Sequence, residues 1–314
     1  MANIHGDEMI TPEVAMVFIQ YLLENYNHDP DVTWLLDEHI IYVMVSANPD
    51  GHVRNESGKP WIRWRKNTNP ANDYCGGDHY GIDLNRNFGF EWGGSGSDGD
   101  PCEVNYRGPS PVSEYETQAI QEFMLTLFPD QRGPADSDAA PDDATGIFIS
   151  LHSYGNLVLW PWGYTGVEAP NALQLQRLGR KFATFTGYNP QQAYYLYPTN
   201  GTTDDWSYGE LGIASYTFEV GSKDDGHYPP CSRYDALVAP NIPALLYAAR
   251  VARTPYLTSF GPDVLRVTTG LTLTLQGRYV EISATLAMES ETSLAHSMLY
   301  SQTIAEAEAY IDVP

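Results

Sequence analysis

The sequence predicts an α/β fold, with a mixed, mostly parallel central sheet flanked by helices and followed by a short β-rich C-terminal segment. The first observation behind this prediction is that amphipathic helical segments alternate with short, apolar, β-branched segments. The second is that a chain of 314 residues, 42% of them hydrophobic, can enclose one large core. The third is a change beyond Tyr256 to short alternating strands separated by glycines, which divides the chain into residues 1–256 and 257–314.

The helices are predicted from apolar residues that recur at every third or fourth position. The first predicted helix runs from Thr11 to Tyr26 with Thr11 as its N-cap, and Ser113 is predicted to cap a later helix. The helical segments that we expect are residues 11–26, 31–36, 113–128, 172–186 and 239–252.

Strands are predicted where short apolar runs are bounded by polar residues or glycines. The large domain has three such runs, and the C-terminal segment adds three shorter ones, at residues 40–45, 146–151, 214–220, 264–267, 271–275 and 279–283. Residues 48–51, Asn-Pro-Asp-Gly, indicate a turn by composition. The stretches 54–110, 133–145 and 195–206 are expected to be loops, and a loop region as long as the first is usually functional.

The charge balance bounds the possible partners. The chain has 40 acidic and 17 basic residues, a net charge of −23 at pH 7. Such an excess repels nucleic acids and anionic membranes, so we expect neither as a partner. No apolar run in the sequence reaches the length that spans a bilayer.

His5 and Glu8 stand three residues apart, so one tight turn can aim both side chains at the same point. An imidazole and a carboxylate are ligands that Zn²⁺ accepts, and a catalytic zinc takes a third protein ligand and keeps a position for water. Taken alone, the pair is also common on polar turns. His152 strengthens the metal hypothesis, because it follows the apolar run 146–151 and open α/β sheets place their sites at the carboxyl ends of strands.

Three other polar positions admit two interpretations each. Arg65 and Arg86 lie in the long loop region, where each is either a functional cation or a solvated surface residue. Glu219 breaks the apolar character of the run 214–220 near its end, and it is either a functional acid or a salt-bridge or edge residue. The sequence alone leaves these alternatives open.

The three cysteines are few and widely spaced. Cys75 and Cys102 can close a loop if the protein resides in an oxidising compartment. Their spacing lacks the C-x-x-C pattern of a structural zinc site, and Cys231 is expected to be free.

Together these segments resemble the zinc carboxypeptidases of the carboxypeptidase A and B type and their bacterial carboxypeptidase T-like members. The resemblance runs from Asn3 to about Tyr256 and follows the family's order of motifs. The motifs are His5-x-x-Glu8, Asn48-Pro49-Asp50-Gly51, Trp64-Arg65-Lys66, Asp83-Leu84-Asn85-Arg86-Asn87-Phe88, Leu151-His152-Ser153-Tyr154 and Thr217-Phe218-Glu219.

The resemblance implies one Zn²⁺ per chain, held by His5, Glu8 and His152 with a water in the fourth position. It implies that Glu219 is the general base and acid, and that Arg65 polarises the scissile carbonyl and stabilises the oxyanion. It also implies that Asp83 hydrogen-bonds to one of the zinc histidines through the ring nitrogen that does not bind the metal.

The same resemblance implies where the C-terminus of a peptide or protein substrate binds. Asn85 and Arg86 correspond to the clamp for the substrate's terminal carboxylate. Tyr197 corresponds to a mobile tyrosine that closes over substrate, and Tyr154 is expected to contact substrate. Asp204 corresponds to the base of the pocket for the terminal side chain, which implies that Lys and Arg are accepted, with hydrophobic residues also cleaved. The alternative is that Asp204 binds its own loop and faces solvent.

Further expectations follow from the family. Cys75 and Cys102 match a disulfide of its pancreatic-type members, and the protein is expected to be secreted and monomeric. Asp7 replaces the family's usual arginine. The family's catalytic domain begins well before the H-x-x-E motif, so we expect that this sequence begins inside a longer protein. Two other functions stay open: an N-acyl-amino-acid amidohydrolase of related fold, and an inactive relative.

Overall fold

The computed structural model describes residues 1–57, 62–75, 79–261, 263–274 and 277–287. Its contacts divide the chain into two compact units, Met1–Tyr256 and Leu257–Pro314. All of the candidate site residues lie in the first unit.

A four-stranded mixed sheet forms the centre of the first unit. Its strands are β1 (Ile147–His152), β2 (Leu157–Trp160), β3 (Asn189–Gln192) and β4 (Ala214–Glu219), in the order β1-β4-β2-β3. The pairs β1–β4 and β2–β3 are parallel, and β2 runs antiparallel to β4. This arrangement confirms the predicted α/β fold with a mixed, mostly parallel sheet.

Helices cover the sheet and fill the connections between its strands. The described helices are α1 (Ile10–Asn25), α2 (Pro30–Glu38), α3 (Pro49–Ser57), α4 (Tyr115–Leu127), α5 (Ala172–Thr186), α6 (Thr203–Leu211), α7 (Tyr234–Val238), α8 (Asn241–Val251) and α9 (Pro255–Thr258). Short 3₁₀ turns lie at Pro70–Cys75, Leu84–Arg86, Ala193–Tyr195 and Cys231–Arg233. None of the described helices is long and apolar enough to cross a membrane.

Close aromatic packing holds α5 on the sheet. The ring of Phe182 lies 4.9 Å from that of Tyr216 and 5.6 Å from that of Phe218, both on β4. Gly179 allows the close approach, because a Cβ there would lie 2.6 Å from Cε3 of Trp160. The buried sheet is therefore a rigid support for the side chains at the ends of β1 and β4.

The prediction of a strand at residues 40–45 is wrong. This segment is extended, but it is not a strand of either sheet among the described residues, and Ile40 and Tyr42 are 79% and 52% exposed. Its backbone pairs with Ala2, through the hydrogen bond from Ala2 N to Met44 O (2.9 Å). An apolar, β-branched run makes a strand only where a neighbouring strand offers a continuous ladder, and here the pairing is confined to one end of the run.

The expected turn at residues 48–51 is instead the first turn of α3. Pro49 occupies the start of the helix, and the side chain of Asn48 accepts a hydrogen bond from Gly51 N (3.0 Å). Proline and asparagine favour helix starts as well as turns, so composition alone did not separate the two. Likewise, the end of the expected loop 195–206 is helical, because α6 begins at Thr203.

Smaller differences concern helix ends. The first helix begins at Ile10, so Thr11 lies inside it, and the helix after residue 113 has Glu114 rather than Ser113 at its N-cap. The expected helix 239–252 is preceded by a separate short helix, α7. Helix ends depend on single side-chain contacts and are the least predictable part of an element.

The second unit contains the antiparallel pair β5 (Asp263–Thr274) and β6 (Gly277–Ala287), with an irregularity between Val264 and Arg266. The expected strands 264–267 and 271–275 thus belong to one longer strand up to Thr274, because Gly270 continues the ladder instead of ending it. Leu275 lies outside the described residues.

Candidate active site

The turn that carries His5 and Glu8 is built by close packing against two other segments. A Cβ on Gly6 would lie 2.5 Å from the carbonyl carbon of Gly51 and 2.7 Å from the oxygen of Trp64, so only glycine fits. Asn48 donates hydrogen bonds from Nδ2 to Ile4 O (3.1 Å) and Lys66 O (3.0 Å). Three motifs that are distant in sequence therefore form one packed unit.

Hydrogen bonds within the turn orient its two functional side chains. The Asn3 amide donates to His5 O (3.0 Å), and the Thr11 hydroxyl donates to Glu8 O (2.9 Å). The backbone N–H of Glu8 donates to His5 O (3.2 Å). Both side chains consequently point to the same side of the turn, as the spacing predicts.

His5, Glu8 and His152 meet in the interior. His5 Nδ1 lies 2.6 Å from Glu8 Oε1, and His152 Nδ1 lies 3.2 Å from both His5 Nδ1 and Glu8 Oε2. Each residue is at most 3% exposed, and their ligand atoms all lie within 4.8 Å of one another. His152 reaches this point from the carboxyl end of β1.

This donor set fits a Zn²⁺ ion. Two imidazole nitrogens and one carboxylate, all buried and convergent, are a common protein ligand set of catalytic zinc. The Nε2 atom of His5 lies 3.2 Å from Oδ1 of Asp83. We assign the proton of His5 to Nε2 from this contact, which leaves the Nδ1 lone pair facing Glu8 and His152.

The pKa values within the cluster follow from its opposite charges. Burial opposes ionisation of Glu8, but the imidazoles of His5 and His152 outweigh it and hold the pKa of Glu8 well below its usual value. Burial and Arg65 disfavour a charged His5, yet the carboxylates of Glu8 and Asp83 raise its pKa on balance. The two carboxylates are thus ionised at neutral pH, as metal binding requires.

Asp83 connects His5, Arg65 and the turn that begins at Leu84. Besides His5, it accepts hydrogen bonds at Oδ2 from Arg65 Nε (2.9 Å) and at Oδ1 from the backbone N–H of Asn85 (3.0 Å). Asp83 is fully buried, which opposes its charge, but Arg65 and His5 lower its pKa well below the usual value. This one carboxylate therefore sets the positions of His5, Arg65 and the turn that holds Asn85 and Arg86.

Glu219 ends β4 directly opposite His152 in the parallel register of β1 and β4. Burial raises its pKa, and the nearby carboxylate of Glu8 adds to this, although His152, His5 and Arg65 act in the opposite direction. A carboxylate with a raised pKa, one strand away from a candidate metal ligand, is suited to taking up and releasing a proton.

One cavity of about 300 Å³ joins these groups to the remaining candidates. Its wall includes all ten residues predicted to bind metal, substrate or the reacting groups: His5, Glu8, Arg65, Asn85, Arg86, His152, Tyr154, Tyr197, Asp204 and Glu219. Asp83 lies behind this wall. The structure thus brings into one cavity residues that lie as far apart in sequence as His5 and Glu219. The sequence alone could relate these residues only through the order of the family's motifs.

Asn85 and Arg86 are held so that part of each side chain remains available to the cavity. The Asn85 oxygen accepts a hydrogen bond from Thr203 N (3.0 Å), which leaves its amide N–H groups. Arg86 donates from Nε to Gly96 O (2.9 Å) and from Nη1 to Asn85 O (2.7 Å). The second terminal nitrogen of its guanidinium makes no hydrogen bond within the described part of the chain.

Tyr197 and Tyr154 lie at the edge of the cavity. Tyr197 is 48% exposed on the segment between the 3₁₀ turn at 193–195 and α6. The ring of Tyr154 lies 4.8 Å from that of His227. His227, which also lines the cavity, was not singled out from the sequence, because no motif or periodicity surrounds it.

Asp204 and Asp205 occupy the first turn of α6 and have different surroundings. Asp205 is fully buried and accepts hydrogen bonds from the backbone N–H groups of Gly163 (2.8 and 3.0 Å) and Tyr164 (3.1 Å). Burial, reinforced by the carboxylate of Asp204, raises the pKa of Asp205 well above its usual value. Asp204 instead lines the cavity.

The structure confirms a disulfide between Cys75 and Cys102, whose Cα atoms lie 5.2 Å apart. Cys231 is free and exposed, as expected.

Comparison with known proteins agrees with this architecture. A family model described as zinc carboxypeptidase matches residues 1–239. Mast cell carboxypeptidase A of Rattus norvegicus is 34% identical over 237 residues, which cover 71% of this chain and 51% of the relative. Carboxypeptidase O of Homo sapiens is 32% identical over 237 residues, which cover 72% of this chain and 57% of the relative.

The chain spans about half the length of the curated relatives it matches. Among solved structures, thrombin activatable fibrinolysis inhibitor matches with a TM-score of 0.67 at 25% identity, over 80% of this chain and 60% of that chain. The family match covers most of the chain and includes the motifs that build the cavity. The chain belongs to the zinc carboxypeptidase family.

Proposed function

We propose that the protein is a zinc-dependent metallocarboxypeptidase that hydrolyses the C-terminal peptide bond of peptides and proteins. The observation that carries this proposal is the common cavity. In it, a buried two-histidine, one-carboxylate cluster adjoins Glu219, and the free donors of Asn85 and Arg86 face the same space. A peptide can therefore place its terminal carboxylate against Asn85 and Arg86 while its last peptide bond lies beside the two-histidine, one-carboxylate cluster and Glu219.

His5, Glu8 and His152 would hold one Zn²⁺ per chain, which supplies Lewis-acid chemistry and lowers the pKa of water when it is bound. Glu219 takes the proton from the attacking water and delivers it to the leaving amine, a role that its raised pKa supports. Arg65, held by Asp83, donates hydrogen bonds to the carbonyl oxygen as negative charge develops there.

Asn85 and Arg86 bind the terminal carboxylate of the substrate. Arg86 is 3% exposed and already anchored through two of its nitrogens, so little side-chain entropy is lost when it binds an anion. Tyr197, half exposed at the cavity edge, closes over the bound residue, and Tyr154 contacts the substrate from beside His227.

Asp204 recognises the terminal side chain. Its carboxylate is buried in the cavity wall and accepts no hydrogen bond from the described residues, so a Lys or Arg side chain is its natural complement. We infer cleavage of C-terminal Arg and Lys, with hydrophobic residues also accepted. The Cys75–Cys102 disulfide supports a secreted protein, and we propose that it acts as a monomer on peptide C-termini.

The test is release of the last residue from blocked dipeptides that end in Arg and in Phe, measured by mass spectrometry on zinc-loaded protein. The matched control is the same peptides with an amidated C-terminus, which lack the carboxylate that Asn85 and Arg86 bind. We expect the free acids to be cleaved and the amides to be resistant. Hydrolysis of N-acetyl amino acids but not of the dipeptides would instead identify an amidohydrolase, and no hydrolysis of either would identify an inactive relative.

A further inference from the structure

The side chain of Glu114 is the centre of a buried polar network outside the active-site cavity. Glu114 is the N-cap residue of α4 and is only 3% exposed, yet its carboxylate does not cap that helix. The carboxylate instead accepts hydrogen bonds at Oε2 from Nδ2 of Asn67 (2.7 Å) and Nδ2 of Asn69 (2.8 Å), and at Oε1 from the hydroxyl of Ser113 (2.8 Å). A buried carboxylate is costly unless hydrogen bonds satisfy it, and here three side chains do so. Glu114 therefore joins three residues through one charged group.

Asn67 extends this network to the start of the segment 82–87. The backbone N–H of Asn67 donates to Ile82 O (3.0 Å), and Oδ1 of Asn67 accepts a hydrogen bond from Ile82 N (2.8 Å). One residue thus binds both backbone groups of Ile82. The orientation of the Asn67 amide is set mainly by Glu114, because Glu116 reaches the same Nδ2 only at 3.4 Å.

The other end of the same segment is held by the backbone of Glu114. Its N–H donates a hydrogen bond to Oδ1 of Asn87 (3.1 Å). The amide of Asn87 donates in turn to the hydroxyl of Ser113 (2.9 Å) and to Arg107 O (2.8 Å). Glu114 therefore contacts the residues that support both ends of the segment 82–87.

The segment between these supports carries residues of two parts of the site. Asp83 holds His5 and Arg65 by hydrogen bonds. Asn85 and Arg86 follow in the cavity wall. The backbone that joins them is a single 3₁₀ turn of three residues, which is too short to fix its own position. Since a displacement of about 1 Å can cost about 10² in rate, the support of this segment matters for catalysis.

We propose that Glu114 is a positioning residue that fixes the spacing between the metal ligands and the groups that bind the substrate's terminal carboxylate, a proposal that rests on the function proposed above. The carboxylate of Glu114 sets Asn67, and through it the start of the segment 82–87. The backbone N–H of Glu114 sets Asn87 at the end of the segment. Glu114 does not line the cavity, so it acts through these two amides and not by contact with substrate.

The experiment uses Glu114→Gln, which preserves the size of the side chain but leaves one oxygen for three donors. We measure zinc affinity by competition with a chelator and, on zinc-loaded protein, the binding of 3-phenylpropanoate by calorimetry. Each affinity is expected to fall about tenfold, and kcat/KM for a blocked dipeptide that ends in Phe about a hundredfold. The ligand control is 3-phenylpropanamide, which lacks the carboxylate and should bind wild type and variant equally weakly.

The matched control for a loss of stability is Asn241→Ala on α8. Asn241 is fully buried and donates hydrogen bonds to the hydroxyl of Tyr188 (3.1 Å) and to Leu237 O (2.8 Å), but it does not line the cavity. We expect this variant to have a lower urea midpoint and unchanged affinities for zinc and 3-phenylpropanoate. The same result for Glu114→Gln overturns the proposal, because Glu114 would then stabilise the fold without positioning the site.

A double-substitution cycle tests the route of the effect. Since Glu114 acts on the start of the segment through Asn67, Glu114→Gln should add less than about threefold to the losses caused by Asn67→Ala. Fully additive losses would contradict the proposal. If Glu114→Gln does not fold, Asn69→Ala removes only one of the three donors and should lower both affinities about threefold; unchanged affinities would then overturn the proposal.

The two binding measurements separate this proposal from the proposed function, because neither requires turnover. If zinc-loaded wild type binds 3-phenylpropanoate but cleaves no peptide, and Glu114→Gln loses both affinities, the proposed reaction fails while the positioning by Glu114 stands. If wild type cleaves peptides and Glu114→Gln keeps both affinities and kcat/KM, the positioning role fails and the proposed function stands.

Discussion

The two sides of the cavity differ in how many of their polar groups have hydrogen-bond or ion-pair partners within the protein. The metal side, formed by His5, Glu8, His152, Asp83 and Arg65, is linked by contacts of 2.6 to 3.2 Å. The pocket side, formed by Asn85, Arg86, Tyr197 and Asp204, leaves the amide N–H groups of Asn85, one terminal nitrogen of Arg86 and the carboxylate of Asp204 without a hydrogen bond among the described residues.

The difference has a physical reason. A metal ion and a developing oxyanion need charges that are already in place, because reorganising them during the reaction raises the barrier. A specificity pocket gains selectivity by the opposite arrangement, since its unpaired buried groups penalise any ligand that fails to satisfy them. Substitutions on the metal side should therefore affect all substrates equally, and substitution of Asp204 on the pocket side should change the ratio between substrates.

The largest effect is expected for His152→Ala. Removing one of the three proposed ligands should reduce the bound zinc, which we propose is one ion per chain, to a trace, and activity on every substrate should fall to background. Elemental analysis of the purified variant measures the first and dipeptide hydrolysis the second. A variant that retained full zinc would contradict the assignment of the metal side.

Glu219→Gln should be almost as severe for turnover but should leave zinc bound. The amide preserves shape and cannot transfer a proton, so kcat should fall by about 10² to 10⁴ for Arg and Phe substrates alike. The measurement is steady-state kinetics beside zinc analysis of the same sample. An unchanged kcat would rule out the role of Glu219.

Asp204→Ala should change the ratio between substrates rather than the overall rate. Removing the buried carboxylate should lower kcat/KM for a C-terminal Arg about a hundredfold and leave or improve that for Phe. If the variant keeps the wild-type Arg-to-Phe ratio, Asp204 does not recognise the side chain, and the contrast between the two sides is lost.

Asp83→Asn tests the connection behind the metal side. The amide has only one oxygen and cannot accept hydrogen bonds from both His5 and Arg65 as the carboxylate does. Substitution of a residue that hydrogen-bonds a metal ligand typically lowers metal affinity by about 10- to 100-fold. Competition with a chelator measures zinc affinity, and Asp224→Asn, an exposed aspartate, is the control. Equal affinities in the two variants would show that Asp83 does not support the metal ligands.

The smallest effect is expected at Asp225, which lies two residues before His227 at the cavity. Its bonds with Arg233 (2.6 Å) and Ser222 lower its pKa from 3.8 to about 2. Because the folded pKa is depressed, this contribution to stability is complete above the unfolded value and is lost as the pH falls towards 2. Asp225→Asn should slightly lower the urea midpoint at pH 7, by less at pH 3. A difference between wild type and variant that grew at low pH would contradict this sign.

Much of the site was predictable because its residues carry local signals. The spacing of His5 and Glu8 placed both side chains on one turn, and the apolar run before His152 predicted the strand that presents it. Helices α1 and α5 followed from their apolar period, which burial on one face enforces. The order of the family's motifs supplied the roles that we propose for the remaining residues, including Arg65 and Asp204.

What the sequence could not supply is what depends on contacts between distant segments. Residues 40–45 have the composition of a strand but lack a continuous neighbouring ladder, and residues 48–51 start a helix because Asn48 bonds Gly51 while its amide holds two other segments. No local pattern marks His227, since only the fold brings it to the cavity wall beside Tyr154. A chemical group is read from its residue type, but whether it is satisfied is decided only by what the folded chain places beside it.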